Sequence, residues 1–248
     1  MQMGHGRTAA SPRVLARFGG ALYLVIIAIG IFGEAFVRGR LIVPDDPAAT
    51  AARIRAAEPL WRFHIATELL LLVCAVIVLW VLFVLLRPAG RDLAVLAVFF
   101  NLIAIGIEAT ITLDLLRVLF PLGNAGYLRA FTPAQLDVLA RLSLRSHAHG
   151  FGVSLLFFGC FCIVIGILIY RSGYLPKAIG VLMQIAGVCY VTNTIVLIVA
   201  PALADRLFPT ILLPSFVAEL SFALWLLFRG VNVAQWNERQ PAGCGPAA

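Results

Sequence analysis

His64 and Glu68 stand four residues apart in an otherwise apolar stretch, so on a helix they share one face. An imidazole and a carboxyl so placed can exchange a proton, hold a cation or bind a polar ligand. Glu34, Glu108, Asp114 and Glu219 lie in other apolar runs, and His147 and His149 stand at the mouth of another, in RSHAHGFG. Ionisable groups in hydrocarbon are costly, so each of these needs a partner or a function. The rest of the chain is what positions them.

The chain has 248 residues, 62% hydrophobic and 12% charged, where a soluble domain carries roughly 25% charged residues. That much apolar surface requires lipid as part of the solvent. The net charge is +7, and Arg supplies nearly all of the basic residues, mostly at the ends of apolar runs. This fits membrane headgroups and topology rather than nucleic acid, since no basic-aromatic interleaving is present. The five cysteines form no disulfide framework.

The apolar runs define six spans at about 18–37, 62–86, 93–120, 147–170, 175–200 and 209–228. The fold class is all-α, an integral membrane helix bundle of six transmembrane helices with one or two short surface helices. Asp46-Pro47 predicts the start of one surface helix. Thr132, with Gln135 three residues on, predicts a second helix start leading toward span four. Pro214 predicts a kink in span six. Residues 1–17 read as a disordered basic tail, 18–230 as the transmembrane domain and 231–248 as a flexible tail. Six spans put both termini on one side. The short basic turns after spans two and four place that side in the cytoplasm, with the chain in a bacterial inner membrane.

The six-span count then sets depth. Glu34, His64, Glu68, Asp114 and His149 fall at one level, in the half remote from the termini, and Glu108 falls deeper. On a helix His147 and His149 cannot both face one site. Gly150 and Gly152 favour His149 as the inward residue, because they allow another backbone to approach. Arg53, Arg55, Arg62 and Arg145 would ring this cluster and suit an anionic group.

Three stretches carry a resemblance: GALYLVIIAIGIFGEAFVRGRLIVPDDPAATAARI, RSGYLPKAIGVLMQIAGVCYVTN and ELSFALWLLFRGVN. They resemble a bacterial membrane family known only as domain of unknown function 4386. The resemblance implies a small polytopic helical protein and lends no site residues.

Three functions remain open. The first is a polar pocket that binds or passes a small amphiphile or ion, with membrane lipids as neighbours and Glu and His as proton carriers. The second is a zinc hydrolase of lipid-like amides or esters, with His64, Glu68 and His149 as ligands and zinc as cofactor. The third is purely structural: Glu34 pairs with Arg38, Asp114 with Arg117, and Glu68 with His64 or an arginine.

Overall fold

The computed structural model describes residues 11–207 and 209–240. No strand occurs among them, and six helices are long and apolar enough to cross a membrane. We number the helices α1 (Pro12–Leu41), α2 (Pro47–Ala56), α3 (Glu58–Ala89), α4 (Arg91–Leu122), α5 (Pro133–Ser172), α6 (Lys177–Val199), α7 (Pro201–Leu207), α8 (Leu213–Phe228) and α9 (Val233–Glu238).

Local chemistry sets the helix ends. Ser11 caps α1 through Val14 N, and Pro12 takes the first helical position. Asp46 Oδ1 accepts from Ala49 N at 2.8 Å and starts α2 before Pro47. Thr132 and Gln135 form a reciprocal capping box at the head of α5. Gly173 ends α5 at φ 77°, a left-handed conformation that glycine takes without strain.

Two of these ends revise the expected tails. The helix begins at Pro12, so residues 12–17 belong to α1, and residues 1–10 lie outside the described part. Residues 233–238 are helical as well, because Trp236 anchors α9 by donating to the Leu85 carbonyl at 3.0 Å. Tyr174 donates to the same carbonyl, and burial holds its phenol above the ordinary pKa, in the protonated donor form. Residues 241–248 lie outside the described part. Pro214 sits in the first turn of α8, so it starts that helix rather than kinking it.

The six long helices close into a ring. α1 packs on α3, α3 on α4, α4 on α5, α5 on α6, α6 on α8, and α8 back on α1. The α5–α6 seam is the tightest: a Cβ on Gly159 would lie 2.8 Å from the Gly187 carbonyl oxygen, and one on Gly166 would lie 2.6 Å from that of Gly180. Backbones approach this closely in membrane bundles because only dispersion and hydrogen bonding hold the helices together.

The helices differ in length. α5 has 40 residues, about 60 Å at 1.5 Å per residue, against roughly 30 Å of hydrocarbon. α6 has 23 residues and α8 has 16. The excess of α5, with the distal ends of α1, α3 and α4, forms a second layer away from the termini, roofed by α2. This distal layer has its own core, with Val37, Ile54, Trp61, Leu115, Val118 and Leu144 buried. Trp61 Nε1 donates to the Leu115 carbonyl at 2.9 Å, and Arg55 clamps α2 to α5 through Asp137 at 2.9 Å. The larger proximal core, including Tyr23, Leu82, Phe161, Leu168 and Phe222, fills the half near the termini.

Candidate functional site

Between the two cores lies a polar belt. On α3, His64 lies between Trp61 and Ile65 of the distal core, and Glu68 falls between Ile65 and Val78 of the proximal one. On α5, His147 follows Leu144 and precedes Leu155. The belt borders the distal core, whose Trp61 packs against His64.

Its centre is Arg38, which sequence reasoning placed only as a partner of Glu34. The backbone from Phe32 to Arg38 is a π-helical turn of seven residues, closed by Gly39 N–H donating to Glu34 O. Such turns run hydrogen bonds from i to i+5, so residues five apart stack on one face. Gly33 and Arg38 are such a pair. Gly33 lies against α3: a Cβ there would stand 2.6 Å from His64 Cε1 and 2.8 Å from Glu68 Oε1. The π turn therefore directs Arg38 to the side of α1 that meets His64 and Glu68. In a regular α-helix the same residue would be rotated well away from Gly33.

Arg38 is mostly buried and bonds twice. Its Nη2 donates to Glu34 Oε2 at 2.5 Å, and its Nη1 donates to His147 Nε2 at 2.5 Å. His147 Nδ1 lies 3.0 Å from the Ile111 carbonyl, so that nitrogen carries the proton and the ring is neutral. The Arg38 Nε–H is buried and has no acceptor.

His64 is the most exceptional group. Its side chain is 0% exposed, yet neither ring nitrogen has a hydrogen-bond partner. Glu68 Oε1 stands 3.6 Å from Nδ1, too far for a hydrogen bond. Trp61 packs edge-on at 5.9 Å between ring centroids. Glu34 connects this interior to the surface, with a side chain 62% exposed. Phe36 and Phe63, on the same two helices, are exposed and apolar.

The other expected site residues are distributed as follows. Asp114 accepts from Arg117 at 2.6 Å and from Ser146 at 2.7 Å, an α4–α5 tie beside the belt. Glu108 accepts from Ser154, a second tie between the same helices. His149 does not face the cluster: it is exposed and bonds the Arg145 carbonyl of its own helix at 2.8 Å. The glycine cue belonged to His147, since Gly150 lies one turn further on and abuts Ile111, whose carbonyl His147 bonds. The zinc set of His64, Glu68 and His149 is therefore not assembled. Among the described residues no group of three or more His, Cys, Asp or Glu is placed to hold a metal. The arginine ring is also corrected. Arg53 donates to the Arg40 carbonyl, Arg55 pairs with Asp137, Arg62 pairs with Glu58 at 2.8 Å, and Arg145 is exposed.

A second polar group lies deeper. Glu219 on α8 accepts from Tyr23 of α1 at 2.9 Å and, through its other oxygen, from Tyr190 of α6. Neither tyrosine was singled out in the sequence. The available signal was a lone mid-span carboxyl that needs donors on neighbouring helices.

Comparison with known proteins gives a family and little else. A family model described as a domain of unknown function, DUF4386, matches residues 18–230. An uncharacterised protein of Archaeoglobus fulgidus is 23% identical over 175 residues, 70% of this chain and 87% of that protein. No solved structure matches.

Proposed function

The chain belongs to the DUF4386 family, and from that premise we propose that it binds a small amphiphile by its polar head in the belt between the two cores. Arg38, His64, Glu68 and His147 line the head site, with Glu34 at its rim. The observation that carries this reading is His64, fully buried with both ring nitrogens unpartnered beside an Arg38 Nε–H that also lacks an acceptor. Leaving a buried polar atom unsatisfied costs about 1–3 kcal/mol. A ligand that fills those bonds recovers the cost, and only on binding.

The belt lies at the level where the membrane spans give way to the distal layer. An amphiphile can reach that level from a leaflet with its tail against exposed Phe36 and Phe63. We take the distal side as the outer face of a bacterial inner membrane, because the short turns on the opposite side are rich in arginine. His64 and Glu68 serve as the proton-exchanging pair of the site.

Protein purified in mild detergent, extracted and analysed by mass spectrometry, tests this. Wild type is expected to carry a bound amphiphile that Glu68→Ala and His64→Ala lose, while Tyr23→Phe retains it. Equal loss of thermal stability in all three variants, with no ligand in any, would return the belt to a purely structural role.

A further inference from the structure

We infer that the head taken by this site is an acid, a carboxylate or phosphate, and that it binds together with one proton. The inference rests on the amphiphile reading above and narrows its chemistry.

The unpartnered atoms select the head. Arg38 Nε–H is a donor only, so a cationic head offers it nothing. Imidazole adds a second unpartnered donor at His64. Two donors on facing helices suit a group with two oxygens on one centre, which a carboxylate or a phosphate has and an alcohol lacks.

Charge then demands the proton. Arg38 is already matched by Glu34, and Asp114 by Arg117. The hydrogen bonds of His147 hold it neutral. The remaining titratable groups about His64 are Glu68 on its own helix and Glu108 on α4, which accepts from Ser154. Both are acids. An anion entering this belt adds negative charge that no free cation among the described residues about His64 offsets, and burying such a charge is prohibitive. Uptake of one proton from solution by the His64–Glu68 pair restores the balance. No covalent bond changes: the head arrives as an anion, the proton arrives from water, and the site holds their sum.

The experiment titrates the full chain in weakly buffered nonionic detergent with dodecanoate, dodecyl phosphate and dodecanol, then with acetate and inorganic phosphate. Native mass spectrometry reads occupancy, and a pH indicator reads protons. Both tailed acids are expected to bind roughly ten- to a hundredfold tighter than dodecanol, the worth of one charge-assisted hydrogen bond. About one proton should be taken up per acid bound. Arg38→Gln should bring the acids down to the level of dodecanol. His64→Gln, which removes no hydrogen bond of the free protein, should abolish proton uptake while the chain stays folded. Equal binding of dodecanol overturns the inference, as does acid binding without proton uptake or with uptake unchanged in His64→Gln. In each of those cases the amphiphile site stands. Failure of all three tailed probes overturns the amphiphile reading with it. Acetate or phosphate binding as tightly as the tailed acids, with the proton, upholds the acid head and overturns the tail.

Discussion

Two of the carboxyl groups inside the bundle, Glu219 and Glu68, are finished differently. At Glu219 both oxygens are taken by phenols from the helices on either side, α1 and α6. At Glu68 the neighbouring imidazole stands at 3.6 Å, and the buried nitrogens around it lack partners. The first site closes the helix ring where α8 joins it, and its hydrogen bonds are complete in the protein alone. The second is incomplete in the protein alone. A polar group in a membrane bundle that its neighbours saturate is a helix tie, and one they leave unsaturated is the ground for the binding site proposed above.

The contrast predicts opposite mutational behaviour. The largest effect is expected at the saturated site. Glu219→Ala strands the Tyr23 and Tyr190 hydroxyls and should cost about 2–4 kcal/mol. Thermal unfolding in detergent would read this, and a change below about 0.5 kcal/mol would mean that the clamp holds nothing. Next come the single phenol deletions. Tyr23→Phe and Tyr190→Phe should each cost about 1 kcal/mol, the scale of an interhelical hydrogen bond in a membrane protein. The sign then reverses at the unsaturated site. His64→Leu replaces an unpartnered buried ring by apolar atoms, so the free protein should be unchanged or stabilised by up to about 1 kcal/mol, with binding lost. Clear destabilisation would show that the His64 ring is already satisfied. The smallest effect is expected at His149. His149→Ala should shift stability by less than about 0.5 kcal/mol and leave binding intact, because that ring is exposed.

Much of the architecture was legible before any coordinates. Unbroken apolar runs locate the six spans, and two caps, Asp46 with Pro47 and Thr132 with Gln135, start helices as their chemistry requires. The expected local pairs also form: Glu34 with Arg38 and Asp114 with Arg117. Depth counting brought Glu34, His64 and Glu68 to one level, and the structure brings them to one place. What depth counting could not supply was rotation. Choosing His149 over His147 was a choice between two sides of one helix, and the bonds of His147 to Arg38 and the Ile111 carbonyl decide it. The role of Arg38 was hidden for a related reason. It depends on a change of helical pitch over seven residues, and pitch leaves no mark in hydrophobic periodicity read as a regular helix. The Glu219 clamp was hidden because tyrosine counts as apolar in a span until a carboxyl is set beside it.

The glycine seam between α5 and α6 bears on motion. With carbonyl oxygens pressed against the facing glycines, those two helices have little room to slide past each other. α1 is different. Its π turn already departs from the regular ladder just where it borders the belt, and one shifted hydrogen bond there would re-phase every residue beyond it, Arg38 included. A change of pitch at this turn would therefore re-aim Arg38 within the belt without disturbing the α5–α6 seam.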